Sequence, residues 1–274
     1  MKTDISQIIS RGAEKLGISL PANAAALFEL YYKILIDHAQ KFNLTTVTDP
    51  EGVASSHFLD SLALLNIADF NKADVIDVGS GAGFPGIPIK IAKPSIRLTL
   101  LDATRKRVDF LSQLCVELGI ETRCIHARAE EILHGAKRAD GIGGKSGKNG
   151  KDVNNCEYGE DGGSGEKFRQ HFDIAVSRAV AGLNVLSELC LPFVRVGGVF
   201  LAMKGLDSEA EISEAINAIE TLGGRFEKKV DYTIPAADGA SGGDRTHSII
   251  VIRKVQPTPE KYPRRFAKIT KSPL

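Results

Sequence analysis

A glycine-rich segment carries the strongest chemical signal in the sequence. Residues 75–86 read VIDVGSGAGFPG; they contain a predicted strand and open a predicted helix. Glycines there let the backbone turn tightly and approach a ligand closely, while the start of the helix offers unpaired N–H groups to an anion. The segment therefore predicts a nucleoside cofactor. Its GxGxxG spacing, from Gly81 through Gly83 to Gly86, does not by itself select which cofactor.

Two acidic residues bear on the choice of cofactor. Asp77 stands two positions before Gly79. Nicotinamide dehydrogenases normally carry an apolar residue there, whereas the D-x-G-x-G-x-G pattern resembles S-adenosylmethionine-dependent methyltransferases of the Rossmann class. Asp102 ends the predicted second strand, where a carboxylate can accept hydrogen bonds from the ribose hydroxyls of either cofactor. An NAD(P)-dependent oxidoreductase is therefore the alternative function, and Asp77 argues against it.

The elements that must position these residues alternate between strand and helix. Residues 1–68 have apolar residues at helical spacing and predict a helical region. Over residues 69–255, short β-rich runs separated by amphipathic stretches predict an α/β, Rossmann-like domain with a mostly parallel, seven-stranded sheet. The last run is expected to be antiparallel to the others. The recognised runs are 75–78, 98–101, 123–126, 172–177, 199–203 and 248–253.

One stretch does not fit this alternation. Residues 135–165 contain ten glycines among 31 residues, with Lys and Arg concentrated in the first half and Asp and Glu in the second. Such a composition buries too little apolar area to offset the entropy lost on ordering. We therefore expect a flexible insertion at about residues 135–167, between the third and fourth strands, that the activity does not require.

Composition limits the classes of protein that fit. The chain has 274 residues, and 35 basic against 34 acidic residues give a net charge of +1, which argues against nucleic-acid binding through the whole surface. No apolar run approaches the roughly 20 residues of a membrane span, and the first residues lack the apolar core of a signal peptide. We expect a cytoplasmic protein without membrane association or an evident obligate protein partner. The four cysteines have neither zinc-site nor disulfide spacing.

The fourth predicted strand ends in Ser177-Arg178-Ala179, where no catalytic base or nucleophile is recognisable. Methyltransferases that act on exocyclic amines usually carry an Asn/Asp-Pro-Pro-aromatic motif there, and those that act on cytosine C5 carry Pro-Cys. A ring nitrogen such as N7 of guanine already has an in-plane lone pair, so it needs only desolvation and alignment with the methyl group. The absence of a recognisable base or nucleophile is therefore consistent with N7 methylation. A non-catalytic ribosome- or RNA-binding module on the same fold would show it too.

Segments over nearly the whole chain outside the insertion match the pattern of one family. They are KFNLT at 41–45, HFLDSL at 57–62, DVGSGAGFPG at 77–86, LD at 101–102, KRV at 106–108, FL at 110–111, RAE at 128–130, FD at 172–173, SRA at 177–179, KG at 204–205, TP at 258–259 and YPRR at 262–265. On these residues the chain resembles the bacterial small-subunit ribosomal RNA guanine-N7 methyltransferases, the family called RsmG or glucose-inhibited division protein B.

The resemblance implies a class I methyltransferase that transfers a methyl group from S-adenosylmethionine to N7 of the guanine usually numbered 527 in 16S rRNA. Transfer would be direct and in line, without a metal or a covalent intermediate. The small ribosomal subunit or its RNA is the implied partner. The implied cofactor-binding residues are Gly79, Gly81, Gly83, Phe84, Asp102 for the ribose, Ala129 and Glu130 for the adenine, and Arg178 beside the cofactor, facing the substrate opening.

The sequence departs from the family pattern in two places. After Tyr-Pro-Arg the family usually continues with Ala-Gly or a similar small pair and then Pro, whereas residues 266–274 here read FAKITKSPL. The glycine-rich insertion also separates the adenine segment from Arg178. Neither departure touches the glycine motif, so both bear on substrate placement rather than on the cofactor.

A basic C-terminal tail over residues 256–274 is the predicted RNA contact. From Val255 to the last residue the chain holds five basic residues and one acidic residue, with Tyr262 and Phe266 interleaved. Basic side chains bind phosphates, and aromatic rings stack on unpaired bases. The predicted RNA-binding residues are Arg264, Arg265 and Lys268 of this tail, together with Lys204 of the Lys-Gly segment that matches the family.

Three further polar residues have predicted roles near the site. His57 and Asp60 lie three positions apart and share a helix face. Their types could form an acid–base pair, but we interpret them as a polar brace between the helical region and the sheet domain. Arg178 is the candidate that positions substrate or cofactor, so its replacement by Ala should lower methyl transfer far more than the melting temperature.

Overall fold

The computed structural model describes residues 5–42, 44–134, 156–158, 167–178, 181–234 and 243–274. The predicted insertion at about 135–167 lies outside these ranges except for residues 156–158 and 167. Its flexibility and its dispensability therefore stay predictions. Ala179 of the Ser-Arg-Ala motif also falls outside the described residues.

The N-terminal part of the chain is helical, as predicted. Two helices and a nearly continuous helical stretch follow one another: α1 (Ile5–Lys15), α2 (Ala24–Phe42), α3 (Pro50–Val53), a π-helical turn (Ala54–Leu59), α4 (Asp60–Leu62) and a 3₁₀ turn (Ala63–Asn66). Asp49 caps α3, because its side chain accepts a hydrogen bond from the N–H of Gly52 at 2.6 Å. The π-helical turn brings Ser56 and His57 to the site described below.

The sheet contains eight strands within the described ranges. They are β1 (Asp74–Val78), β2 (Arg97–Asp102), β3 (Thr122–His126), β4 (Cys156–Tyr158), β5 (Phe172–Arg178), β6 (Val194–Lys204), β7 (Gly224–Ile234) and β8 (Arg245–Lys254). Their spatial order is β4-β3-β2-β1-β5-β6-β8-β7. The strand order changes direction at β1: β2 to β4 lie on one side of it and β5 to β8 on the other. β1 pairs in parallel with both β2 and β5. In such sheets the carboxyl ends of the strands at this switch point form the ligand crevice.

The predicted mostly parallel sheet and the direction of its last strand are confirmed. β8 runs antiparallel to β6 and to β7. β7 was not among the recognised runs, because its sequence GRFEKKVDYTI is mostly polar and buries only its two end residues. β4 adds one short edge strand, parallel to β3, to the seven that were predicted.

Helices cover both faces of the sheet. They are α5 (Gly86–Ala92), α6 (Arg105–Leu118), α7 (Ala129–Leu133), α8 (Leu183–Cys190), α9 (Glu209–Thr221) and α10 (Phe266–Lys271). One buried cluster joins α1, α2, α5 and α6 to one face, and a second joins α7 to α10 to the other. In β1, Val75 belongs to the first cluster and its neighbour Ile76 to the second, as strand alternation requires.

The N-terminal helices therefore pack directly on the sheet and share its core. The predicted domain boundaries at residues 68 and 255 stay predictions. Across the part of the chain that the structure describes, no helix is long and apolar enough to cross a membrane.

Candidate active site

The glycine motif forms a tight loop between β1 and α5 at the carboxyl edge of the sheet. Gly83 has a φ of 102°, and a Cβ on it would lie 2.6 Å from Tyr31 Oη and from Ile87 Cδ1. Only glycine fits that position. Gly86 approaches β1 closely, since a Cβ there would lie 2.8 Å from Asp77 Oδ2. The loop is thus packed tightly between the end of β1 and helix α2.

Asp77 is fully buried next to this loop. Its Oδ2 accepts a hydrogen bond from the N–H of Gly86 at 2.8 Å, whereas its Oδ1 is buried and has no hydrogen-bond partner among the described residues. Burial raises the pKa of Asp77 to about 7, and the bond from Gly86 offsets only part of that rise. A buried carboxyl oxygen without a protein partner can accept a hydrogen bond from a ligand or from water.

Asp102, at the end of β2, contacts the glycine loop. Its Oδ2 accepts a hydrogen bond from the N–H of Gly81 at 2.9 Å, and its Oδ1 accepts one from the N–H of Thr104 at 2.8 Å. The guanidinium of Arg107 approaches Oδ2 to 3.7 Å. Each carboxylate oxygen has a further lone pair, so Asp102 retains the capacity to accept hydrogen bonds from ribose hydroxyls.

Ala129 and Glu130 begin α7 directly after β3. Both are buried, and burial raises the pKa of Glu130. Because β3 pairs in parallel with β2, these residues lie along the same edge as Asp102. The structure thus brings the predicted loop, ribose and adenine segments to three neighbouring strand ends. Their contacts with a cofactor stay predictions.

Helix α2 supports the loop from the N-terminal side. Tyr31 is fully buried, and its hydroxyl donates a hydrogen bond to the carbonyl oxygen of Ala82 at 2.6 Å. Its ring stacks on Phe84 with centroids 5.4 Å apart and packs on Phe58 at 5.0 Å. Tyr31 was not identified as a site residue from the sequence. Its link to Ala82 spans 51 positions and leaves no local signal.

Arg178 lies at the end of β5, and its guanidinium covers the ring of Phe84 at 4.9 Å from the centroid. Its Nη1 donates hydrogen bonds to Asp60 Oδ2 at 3.2 Å and to the carbonyl oxygen of Ser56 at 3.1 Å. Its Nη2 lies 3.5 Å from His57 Nδ1. Arg178 is therefore held between β5 and the π-helical turn, beside the aromatic residue of the glycine motif.

Asp60 joins the helical region to three strands. In addition to Arg178 of β5, it accepts hydrogen bonds at Oδ1 from Tyr232 Oη of β7 at 2.7 Å and from His247 Nδ1 of β8 at 2.8 Å. The bond to Asp60 raises the pKa of His247. The interpretation of Asp60 as a polar brace is confirmed. Tyr232 and His247 were not identified from the sequence, because they lie 172 and 187 positions from Asp60.

His57 packs on the same aromatic ring, with its imidazole centroid 4.7 Å from that of Phe84. Its Nε2 lies 2.8 Å from Thr45 Oγ1. Burial, assisted by the neighbouring Arg178 guanidinium, lowers the pKa of His57 to about 4. The imidazole is therefore neutral near pH 7, and it forms an uncharged surface beside Arg178.

Comparison with known proteins identifies the family. The family described as GidB, rRNA small subunit methyltransferase G, matches residues 24–143 and 153–235. The chain belongs to the GidB family. This is the family that the sequence motifs predicted.

Two curated relatives match over nearly the full length. The Ribosomal RNA small subunit methyltransferase G of Caldanaerobacter subterraneus subsp. tengcongensis is 41% identical over 278 residues and is covered completely, as is this chain. That of Alkaliphilus metalliredigens is 39% identical over 270 residues, which are 97% of this chain and 98% of the relative. Among solved structures, precorrin-6y C5,15-methyltransferase from Geobacter metallireducens overlaps with a TM-score of 0.47 and 13% identity, over 81% of this chain and 98% of that one.

Two of the predicted RNA-binding residues lie in ion pairs in this GidB family member. Lys204 Nζ is 2.6 Å from Glu211 Oε2 and also donates a hydrogen bond to the carbonyl oxygen of Ala181. Arg264 pairs with the buried Glu188 through Nη2 at 2.6 Å and Nε at 2.9 Å. Both residues thus have structural partners that the sequence did not indicate. Their contact with RNA stays a prediction.

The C-terminal tail is packed on the domain. Arg169 donates hydrogen bonds to the backbone carbonyls of Thr258, Pro259 and Tyr262, and Ile269 of α10 is fully buried. Arg265 and Lys268, the other two predicted RNA-binding residues, are exposed on this anchored segment. The tail therefore presents basic side chains from a fixed position.

An exposed aromatic residue lies between the tail and the adenine segment. Phe266, at the start of α10, is 39% exposed. The guanidinium of Arg128, the residue before Ala129, lies 5.7 Å from its ring centroid. The basic tail thus borders the end of the crevice where the adenine is predicted. Across the described ranges, no group of three or more His, Cys, Asp or Glu side chains could hold a metal ion.

Proposed function

We propose that this protein transfers the methyl group of S-adenosylmethionine to N7 of a guanine in 16S rRNA. The observation that carries the proposal is the crevice of this GidB family chain. It brings together the Gly83 loop, the buried Asp102 and an oxygen of Asp77 that has no hydrogen-bond partner among the described residues. Curated relatives are named small-subunit rRNA methyltransferases. The family resemblance supports the guanine usually numbered 527 as the acceptor.

The residues of the crevice fit the chemical groups of S-adenosylmethionine. Asp77 would accept a hydrogen bond from the cationic amino group at Oδ1, which has no partner among the described residues. Asp102 would accept hydrogen bonds from the ribose hydroxyls, and Ala129 with Glu130 would border the adenine. The bound cofactor supplies a methyl group on a positively charged sulfur that is open to in-line displacement.

The surroundings of Arg178 suit an acceptor that needs no base. N7 of guanine carries a lone pair and no proton, so alignment and removal of water are the main requirements. Asp60 is already hydrogen-bonded to Arg178, Tyr232 and His247, and burial keeps His57 neutral. These groups would position the guanine and exclude water from it, and Arg178 is the proposed contact to the substrate.

The RNA is proposed to run along the anchored tail toward the crevice. Arg265 and Lys268 are exposed, and Phe266 presents a ring on which an unpaired base can stack. Arg128 connects this surface to the adenine end of the crevice. The tail would bind RNA phosphates and stack on an unpaired base, while the crevice would select the guanine.

Labelled S-adenosylmethionine and small ribosomal subunits that lack native methylation test the proposal. We expect label at one guanine, mapped by cleavage chemistry specific for N7-methylguanine. Label on another atom would keep the cofactor and overturn the N7 assignment. Subunit binding without transfer would identify a non-catalytic binding module, and binding of a nicotinamide cofactor in place of S-adenosylmethionine would favour an oxidoreductase.

A matched pair of variants links the transfer to the crevice. Asp102→Ala should weaken S-adenosylmethionine binding at least about tenfold, because it removes a buried charged acceptor. Asp109→Ala removes an exposed acid of α6 that pairs with Arg105, and should leave binding unchanged. Titration calorimetry measures both. Equal affinities for the two variants would remove Asp102 from the cofactor site.

A further inference from the structure

We propose that Asp60 is a positioning residue for methyl transfer. It fixes the guanidinium of Arg178 over the ring of Phe84 and, through Tyr232 and His247, ties that position to β7 and β8. The link to methyl transfer rests on the proposed function of the crevice. The claim that Asp60 fixes Arg178 does not, and it can be tested separately.

Among the described residues, four groups contact the Arg178 guanidinium, and Asp60 is the only carboxylate among them. The others are the carbonyl oxygen of Ser56 at 3.1 Å, the face of Phe84 at 4.9 Å and Nδ1 of His57 at 3.5 Å. The side chain of Arg178 is 17% exposed and that of Asp60 is 4% exposed, so water screens their attraction little. The ion pair with Asp60 is therefore the strongest single interaction that fixes the orientation of the guanidinium.

Asp60 is itself fixed by the sheet. Tyr232 and His247 both donate hydrogen bonds to Oδ1, which leaves Oδ2 to accept from Arg178. Burial, together with Asp60, raises the pKa of Tyr232, so its hydroxyl keeps the proton that it donates. The carboxylate is thus oriented by two strands before it contacts Arg178. Orientation of a functional group by a second, fixed layer of hydrogen bonds is a general feature of active sites.

The position of the pair connects it to the reaction. Phe84, which lies under the guanidinium, belongs to the same loop as Gly81, and Gly81 donates its N–H to Asp102. A guanidinium released from Asp60 would lose its fixed place between this loop and the substrate opening. Misplacement of a positioning group by about 1 Å can lower a rate about 100-fold.

The first test measures the accessibility of Arg178 and does not depend on activity. Asp60→Asn removes the charge and keeps the shape. We expect phenylglyoxal to modify Arg178 about tenfold faster than in the natural chain, since the loss of about 1.4 kcal/mol of interaction between the two side chains corresponds to that factor. Peptide mass spectrometry identifies the modified arginine. Glu188→Gln, which weakens a similarly buried pair, should speed modification of Arg264 and leave Arg178 unchanged.

An unchanged rate at Arg178 in folded Asp60→Asn would overturn the proposal. If Asp60→Asn does not fold, Tyr232→Phe is compared with the natural chain in the same way, because it removes one of the two donors that fix Asp60. Faster modification of Arg178 in Tyr232→Phe supports the proposal, and an unchanged rate overturns it.

The second test is a double-mutant cycle on methyl transfer to small subunits. Asp60→Asn should lower kcat about 30-fold and change the KM for S-adenosylmethionine less than about threefold. In an Arg178→Ala background, the same substitution should have no further effect on kcat, because Asp60 acts through Arg178. Additive losses would overturn the proposal. A natural chain that transfers no methyl group contradicts the proposed function instead, while the modification rates still decide whether Asp60 positions Arg178.

Discussion

The Arg178–Asp60 pair and the Arg264–Glu188 pair are buried to a similar degree and differ in their surroundings. The side chains of the first are 17% and 4% exposed, and those of the second are 15% and 1% exposed. Arg264 directs Nε, Nη2 and its backbone N–H to Glu188 and directs Nη1 to the carbonyl oxygen of Ser272. Arg178 directs one nitrogen to Asp60 and covers Phe84 of the glycine loop with its face.

The comparison shows that burial and ion pairing alone do not distinguish these two arginines. Arg264 lies in a pair that joins the C-terminal tail to α8, so we expect its loss to destabilise the fold. Arg178 lies at a strand end beside the glycine loop, where we propose that a change in its position affects the reaction. The neighbours of an arginine, rather than its charge, separate the two roles.

The largest expected effect is a difference in unfolding free energy between variants that break one ion pair or the other. Arg264→Ala leaves Glu188 buried without its charged partner, and breaking such a pair costs about 3–5 kcal/mol of unfolding free energy. Arg178→Ala leaves Asp60 with two hydrogen-bond donors, so its cost should be no more than roughly half of that. Denaturant unfolding of the two variants measures the difference. Equal costs would mean that both pairs serve the fold in the same way.

Retaining the charge while removing the guanidinium sharpens the comparison. Arg178→Lys keeps the cation but loses the planar guanidinium that covers Phe84 and reaches Asp60 and Ser56 through Nη1, so we expect kcat to fall about tenfold with little change in KM for the cofactor. Glu188→Gln is the control and should lower the melting temperature while kcat stays within about twofold of the natural chain. Full activity of Arg178→Lys would show that charge alone suffices.

Asp77 extends the comparison to a buried carboxyl that has no ion pair among the described residues. Burial raises its pKa to about 7, so between about pH 4 and pH 7 the unfolded chain releases this proton while the folded chain keeps it. By linkage, this group lowers stability as the pH rises through that window. A cationic ligand favours the ionised form, so the Kd for S-adenosylmethionine should fall about three- to tenfold from about pH 6 to about pH 8.

Titration calorimetry at several pH values checks the prediction for Asp77. Asp77→Asn should bind the cofactor more weakly and with a flatter dependence on pH, because the residue no longer ionises. The same slope of affinity against pH in Asp77→Asn and in the natural chain would assign the dependence to another group.

The smallest expected effects lie just beyond Arg264 on the tail. Arg265→Ala and Lys268→Ala should each weaken RNA binding severalfold at low salt, and each should reduce the slope of log affinity against log salt concentration by about 1. Lys33→Ala, which removes an exposed lysine paired with Glu29 on α2, is the control. RNA binding measured over a salt series gives the slopes. Unchanged slopes would exclude the tail from the RNA interface.

The parts of the fold that could be predicted depend on local sequence. Strand β1, the glycine loop and the start of α5 occupy one continuous segment, so residue type and spacing were enough to place them. The same holds for Asp102 at the end of β2. Strand β7 was missed because its residues are mostly polar and its apolar residues before Ile234 are only partly buried, so its sequence shows a weak alternation.

The parts that could not be predicted depend on contacts between distant segments. Arg264 was predicted from the basic tail to bind RNA, and that contact stays a prediction. The sequence did not indicate that Arg264 pairs with a glutamate 76 positions away. Asp60 likewise meets Arg178, 118 positions later. The sequence contains these residues without showing which of them will meet, and only packing of the helical region on the sheet decides that.

The central claim is that the pair at the glycine loop serves the reaction and the pair at the tail serves the fold. Single-turnover methyl transfer at saturating S-adenosylmethionine and small subunits, measured side by side for the natural chain, Arg178→Ala and Glu188→Gln, tests it most directly. We predict a rate constant about 100-fold lower in Arg178→Ala and within about threefold of the natural chain in Glu188→Gln. Equal losses in the two variants, or a full rate in Arg178→Ala, would contradict the claim.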